Sequence, residues 1–433
     1  MKFASSLIVF LLVNSTLPII GNENDAQWPG WRGPTMNGHA APNANPPIEW
    51  SENKNVKWKT ELPGLGNSTP NVWGNKIILT TAVPTGRKVE PQGKDAAGNA
   101  RPVEFHQLLV IAYDFETGKQ IWKTKVSEAV PHAVSHPTGS FAAASTVTDG
   151  SRIFAFFGSL GLFALDMDGN QIWKYELPVM QTMANFGEGA SPVLHENILI
   201  VPWDSEGQSF VAGIDTSTGK EVWKTNRDTN SSWTTPIVIN DEGQGVVVLS
   251  GTTHTRAYNI KTGKEVWSCG GMSHNPTSSP VADGHVVFVG NSYRGKVVQA
   301  INCKGAAGDL TQSPRLLWTH QKSASYVPTP VVVDDKLYFL RDSVGILNCL
   351  DVKTGQPVLQ PKRIGLRKIH ASPMVAADRI YISSREGDTV VIDPKQECKI
   401  LAKNHLDDVF DASPVAIGNS LILRGKTNLY RIQ

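Results

Sequence analysis

The sequence predicts an all-β protein, a ring of eight four-stranded antiparallel blades forming a β-propeller. Three observations carry this: a recurring Ser/Thr-Pro step, a Thr-Gly-Lys turn motif followed by tryptophan, and a turn-rich composition. The 433 residues include 38 Gly, 27 Pro and 12 Trp and are only 18% charged, the balance of a folded, aromatic-anchored β protein. A chain of this length ordinarily implies two or three domains, but a closed repeat ring absorbs the whole length in one.

The first signal opens a hydrophobic strand at Thr69-Pro70, Ser191-Pro192, Thr235-Pro236, Ser279-Pro280, Thr329-Pro330, Ser372-Pro373 and Ser413-Pro414, with Ser145-Thr146 filling the vacant place. From Pro192 onward the steps lie 41 to 50 residues apart, the size of one four-stranded blade, and together they count eight. The second signal, D-x-x-T-G-K-x-x-W, is whole at Asp114–Trp122 and Asp215–Trp223 and degraded at Asp166–Trp173, Asn259–Trp267 and Asp351–Gly355. Its glycine suits a tight hairpin. Its tryptophan begins the outermost strand, where Trp58, Trp122, Trp173, Trp223, Trp267 and Trp318 are expected to pack across onto the neighbouring blade. After Ser413-Pro414 there is room for three strands only, while an orphan strand at Asn55–Glu61 precedes the first step. Pairing of these two ends seals the ring and removes its free edges.

Ahead of the ring, Lys2, an apolar run from about Leu7 to Ile20 and a small, polar stretch from Gly21 to Gln27 have the layout of a signal peptide over 1–26, cleaved after Gly21 or Ala26. Asn14, Ser15 and Pro18 break the apolar run too soon for a comfortable membrane span, an uncleaved anchor being the other reading. No cysteine lies nearby to carry a lipid. The expected location is periplasmic or extracellular, without a lipoprotein anchor. A leading segment then occupies 27–48 and the propeller 49–433. A net charge of +2 offers no concentrated basic face, which removes nucleic acid and anionic membrane as default partners. Cys269, Cys303, Cys349 and Cys398 form no C-x-x-C pair, which excludes a zinc knuckle or short redox motif. Burial as small apolar side chains is expected of them, although export also permits disulfides in any of three pairings.

The motifs A-x-D-x-x-T-G-K-x-x-W and S-P-V resemble those of the PQQ-repeat propellers, which include quinoprotein alcohol dehydrogenases and the BamB-type propeller subunit of the bacterial β-barrel assembly machinery. The resemblance covers roughly Trp50 to Gln433, and Trp28-Pro29-Gly30-Trp31-Arg32-Gly33-Pro34 is similar to the leading segment of exported members. These motif residues build the blade rather than a pocket, so they speak for fold more than for cofactor. A quinoprotein enzyme needs PQQ over an aromatic floor, calcium on carboxylate and amide oxygens, and an Asp base. The resemblance further implies, for many of the alcohol dehydrogenases, an adjacent Cys-Cys pair; this chain lacks one and its blades are near minimal length. The expected function is therefore a monomeric, non-catalytic binding scaffold for an envelope protein or peptide, with no cofactor. PQQ- and calcium-dependent oxidation of an alcohol or sugar is the alternative.

Ligand chemistry is expected at the channel mouth, where the loops before the inner strands and between the second and third strands converge. Insertions at Pro84–Glu104 and Ser127–Ser140 both fall on that face and suit a lid, a docking flap or a tolerated surface loop. Arg294, Arg341, Arg385 and Arg424 each follow a Pro by ten to fourteen residues and form a candidate anion-binding arc, unless neighbours such as Asp342 and Glu386 neutralise them. Trp233 is a candidate aromatic floor and His370 a further candidate ligand residue, with His254, His274, Tyr326, Glu188, Asp204 and Asp411 as other mouth residues. His106, His132 and His136 lie near the insertions. The i, i+4 spacing of the last two matters only on a helix, and Pro137 argues for a loop.

Overall fold

The computed structural model describes residues 27–94, 98–341 and 344–433; the expected signal peptide lies outside the described residues. Within them, eight sheets follow one another along the chain, each running from an inner to an outer strand through antiparallel neighbours. Blade 3 shows the unit at its most regular, with strands Val193–His195, Ile198–Trp203, Ser209–Asp215 and Glu221–Arg227. Its two middle strands are buried along nearly their whole length, because each blade is sandwiched between two others. Two blades carry a fifth, short strand. Gln27–Trp28 pairs with the inner strand of blade 1, and Gly308–Asp309 runs parallel to the outer strand of blade 4.

The Ser/Thr-Pro steps form one cyclic hydrogen-bonded ring around the axis. The backbone N–H of Thr69 donates to Ser145 Oγ at 2.9 Å, Ser145 to Ser191 at 3.0 Å, Ser191 to Thr235 at 3.0 Å and Thr235 to Ser279 at 2.9 Å. Ser279 continues to Thr329 at 3.0 Å, Thr329 to Ser372 at 2.9 Å, Ser372 to Ser413 at 3.1 Å, and Ser413 closes on Thr69 Oγ1 at 3.1 Å. Proline explains the placement. It holds the preceding residue extended, so that its N–H and hydroxyl face successive neighbours. Ser145, which has no proline after it, occupies the second place in the ring.

The turn motif works at the opposite, outer side of each blade. In its first copy Asp114 Oδ1 accepts from the N–H and hydroxyl of Thr117 at 2.7 and 2.8 Å, and Gly118 turns at φ +69°. A Cβ on Gly118 would stand 2.6 Å from Trp58, which covers it; the glycine is needed both for the turn and for this approach. Each tryptophan donates its indole N–H to the next blade. Trp58 bonds Phe115 O, Trp122 bonds Met167 O, Trp173 bonds Thr216 O, Trp223 bonds Ile260 O and Trp318 bonds Val352 O, at 2.7–3.0 Å. Trp267 differs: the inserted strand Gly308–Asp309 lies against its own strand and it is fully buried.

The orphan strand, Val56–Glu61, pairs antiparallel with the C-terminal strand Asn428–Ile432, with Trp58 opposite Arg431, and is the outermost strand of blade 8. Before reaching it, the leading segment crosses the face opposite the mouth. Trp28 O accepts from Asn71 in blade 1 and Pro29 O from Thr148 in blade 2. Arg32 donates to the carbonyls of Pro330 and Pro373 in blades 6 and 7, and Asn45 N–H to Gly418 O in blade 8. The channel is thus bridged from below. The four cysteines are buried free thiols, and burial pushes Cys269 and Cys398 up to about 11 and Cys303 to about 12.

Ser191 tests the ring. Ser191→Ala leaves the Ser145 N–H buried without an acceptor and is expected to lower unfolding free energy in a urea titration by about 1–3 kcal/mol. Ser191→Thr, which keeps the oxygen and matches Thr69, Thr235 and Thr329, is expected to cost less than half as much.

Candidate functional site

The loops entering each inner strand and those joining second to third strands meet around a cavity of about 220 Å³ on the axis, with the hydroxyl ring in its wall and Trp31 reaching it from below. Trp233, Glu188, His370 and Asp411 line it. The two insertions flank it as one arm rather than as separate flaps. The inserted residues lengthen the second and third strands of blade 1 to Lys76–Lys88 and Glu104–Asp114 and the outer strand to Gln120–Ala129. Arg87 pairs with Glu128 across the arm. The chain then folds inward, so that Thr138, Gly139 and Ser140 line the mouth.

The arginine arc does not assemble as one ligand clamp. Arg424 is a correction: it is buried beneath the mouth, donating to Ser68 O at 2.9 Å, to the Ser68 hydroxyl and to Thr80 O at 2.8 Å, and it ties blade 8 to blade 1. Its place after an inner hairpin resembled the others in sequence, but its side chain points between blades. Arg385 Nε donates to Asp411 Oδ1 at 2.7 Å, and His370 Nδ1 lies 3.0 Å from the same oxygen. Glu386, its expected neighbour partner, pairs with Lys368 at 3.5 Å instead. Arg294 is exposed at φ +52°, its guanidinium 5.4 Å from the Tyr293 ring, and Arg341 is exposed at the end of its strand. Asp342 lies outside the described residues.

Trp233 is half-buried and donates its indole N–H to Gly187 O at 2.7 Å, which holds it against the loop into blade 3. Asp204 is a second correction. It is buried in a bidentate pair with Arg227, at 2.7 and 3.2 Å, and accepts from Ser232, so it braces blade 3 rather than facing a ligand. The three histidines near the insertions go to different partners: His106 packs edge-on to Phe141, His132 contacts Met180 O at 3.0 Å, and His136 bonds Thr138 and packs on Phe186. His254 bonds Thr253, and His274 O accepts from Asn291. Tyr326 stacks on Tyr293 at 6.2 Å.

Glu188 is a strongly perturbed carboxyl at the mouth. It reaches back to blade 2, where Ser159 N–H donates to Oε2 at 2.5 Å and the Ser159 hydroxyl to Oε1, while His132 stands 3.6 Å away. Burial raises its pKa to about 7, partly offset by the bonds from Ser159. His136 is lowered, chiefly by burial and further by the charges of His370 and Arg385.

A tricarboxylate such as PQQ entering the cavity meets Glu188 and Asp411, and the Arg385 and His370 groups beside them already share Asp411. Among the described residues no group of three or more His, Cys, Asp or Glu is placed to hold a metal ion.

The family model described as outer membrane protein assembly factor BamB matches residues 48–186 and 164–396. A BamB of Burkholderia pseudomallei (strain K96243) is 24% identical over 353 residues, 76% of this chain and 80% of its own. A polyvinylalcohol dehydrogenase of a Pseudomonas species is 24% identical over 299 residues, 64% of this chain but 38% of its own length. The solved quinohemoprotein alcohol dehydrogenase of Comamonas testosteroni superposes with a TM-score of 0.62 at 9% identity, over 94% of this chain and 80% of that one; at that identity the likeness is one of fold.

The raised pKa of Glu188 carries a sign. Below the unfolded value of 4.5 the carboxyl is neutral in both states; as pH rises through 4.5 towards 7 only the unfolded chain releases the proton, so the folded state loses stability. Above 7 the penalty is full, of order 3 kcal/mol. Glu188→Gln is expected to become progressively more stable relative to wild type across that window and to hold a constant advantage above it, read by calorimetric melting at a series of pH values.

Proposed function

Because the chain belongs to the family of PQQ-repeat propellers described as outer membrane protein assembly factor BamB, we propose that it is an exported, non-catalytic propeller that engages a protein or peptide partner in the cell envelope through its mouth face. The observation that carries this is the set of apolar side chains exposed on the mouth loops. Leu65, Val179, Phe186, Tyr326 and Val344 all stand exposed there, Val179 to 60%. Tyr326 stacks on Tyr293, whose hydroxyl lies 3.9 Å from Met183 Sδ, so this surface runs from the loop into blade 6 to the loop that carries Met183 and Phe186. Apolar rings and chains grouped around a polar funnel mark interaction faces. By contrast, Ile121, Ile172, Val222 and Leu317 are exposed one per blade on separate outer strands, where single apolar residues are ordinary.

The charges in the funnel support binding over oxidation. Asp411 gathers Arg385 and His370, which leaves a cross-braced rim suited to hydrogen bonding with a peptide. No helix among the described residues is long and apolar enough to cross a membrane.

Two measurements test the proposal. A photo-crosslinker at Val179 or Tyr326 is expected to trap a discrete envelope protein that the same group at Val222 does not trap; equal labelling at all three sites would count against mouth-face binding. Titration of the purified chain with PQQ and calcium is expected to give neither stoichiometric uptake by absorbance nor dye-linked oxidation of alcohols or sugars, and turnover in that assay overturns the non-catalytic assignment in favour of a quinoprotein dehydrogenase.

A further inference from the structure

The face opposite the mouth holds a separate cavity of about 310 Å³, bounded by the leading segment on one side and the inner strands of blades 2 to 5 on the other. Its size sits at the lower end of small-molecule sites. Trp31, Met36, Val193 and Leu194 supply apolar wall, and three of the ring prolines, Pro192, Pro236 and Pro280, form its depth. Two carboxylates belong to its lining: Asp149, which Arg152 neutralises at 2.7 Å, and the exposed Glu196.

Arg32 is the cation in this wall, and it is only 5% exposed. Its guanidinium donates to three carbonyls, Pro373 O at 2.7 Å and Pro330 O and Asn37 O at 3.1 Å each. Among the described residues its Nε has no hydrogen-bond partner and no carboxylate pairs with it. Carbonyl dipoles compensate a buried guanidinium only in part, and with Nη1 and Nη2 already donating, the Nε–H is left for one negatively charged acceptor. The surrounding surface is mostly apolar, which favours an apolar body attached to that charge. A phosphate monoester, with about two charges and a tightly held hydration shell, matches neither the single cation nor these walls.

We propose that this cavity is a binding site for a small amphiphilic carboxylate, whose head group pairs with Arg32 and whose apolar body lies along Trp31, Val193 and Leu194. The site lies on the other side of the hydroxyl ring from the mouth and shares Trp31 and Thr235 with the mouth cavity.

Octanoate and its neutral counterpart octanamide provide the test, measured by titration calorimetry on the full chain. The wild type is expected to bind octanoate at least about tenfold more tightly than octanamide, the increment of one charge-assisted pair in a buried site. Arg32→Gln is expected to abolish that preference while retaining weak octanamide binding. Leu194→Trp, which fills the cavity from its half-buried side and leaves Arg32 in place, is expected to abolish binding of both. Glu196→Gln is expected to leave octanoate binding unchanged or stronger. Should Arg32→Gln fail to fold, as its ties to blades 6 and 7 allow, the wild-type preference and the Leu194→Trp loss still decide the matter. Equal affinity for the two ligands, no binding of either, or octanoate binding that survives Leu194→Trp overturns the proposal.

Discussion

The hydroxyl ring at the axis sets the geometry on which the rest of this protein depends. Eight inner strands begin at the same height because each N–H there has one acceptor, the hydroxyl of the next blade, and the eighth bond returns to the first residue. Proline makes the arrangement specific: it contributes no donor of its own and holds the preceding residue extended. Because the chain of bonds is cyclic, no donor or acceptor at the axis is left unmatched; losing one hydroxyl would strand a buried N–H, at a cost comparable to a sizeable share of a domain's net stability.

Around this ring the outer strands are coupled by a different device, a tryptophan that covers its neighbour's turn glycine and bonds the carbonyl beside it. The inner ring aligns the blades and the outer tryptophans hold them together, so the loops between are free to vary. The long arm of blade 1 leaves both devices in place, whereas the strand Gly308–Asp309, inserted between the third and outer strands of blade 5, covers Trp267 of blade 4 in place of the usual dock. The ends of the chain follow the same logic. Trp58 arrives from the N-terminal strand of blade 8 and docks on blade 1 as any other blade's tryptophan would, reinforced by Arg424 and by Arg431, whose guanidinium donates to Phe115 O.

The ring also divides the axis into two unlike compartments. Above it lies a polar funnel whose charges are paired with one another, rimmed by exposed apolar side chains; below it the leading segment bridges the channel and leaves a mostly apolar cavity beside a buried arginine. In the upper compartment a carboxylate from a loop entering one blade reaches back to the preceding blade, as Glu188 does to Ser159 and Asp411 to Arg385. Such contacts make the mouth stiff, a property that suits docking a partner of defined shape.

The sequence by itself determined the blade count, the repeating turn and all the tryptophan docks but that of Trp267, because each rests on a local chemical requirement that recurs at blade spacing: a hydroxyl followed by proline, a glycine at positive φ, an aromatic two residues into a strand. Even the irregular second step at Ser145 was legible from its position in the series. The candidate site was legible only as a set of loops. Arg385 and Arg424 occupy equivalent places in sequence, yet one faces the funnel and the other is buried between blades 8 and 1, because the direction of a side chain at the end of a strand depends on what the adjoining blade offers. Asp204 and Arg227, Asp411 and His370, and Arg32 and the prolines of blades 6 and 7 are pairings across tens to hundreds of residues. No local pattern encodes such pairings; only the folding of each blade and the closure of the ring bring their partners within reach. The ring was therefore written in short-range chemistry, and its chambers, with the charges that furnish them, were decided by the tertiary structure.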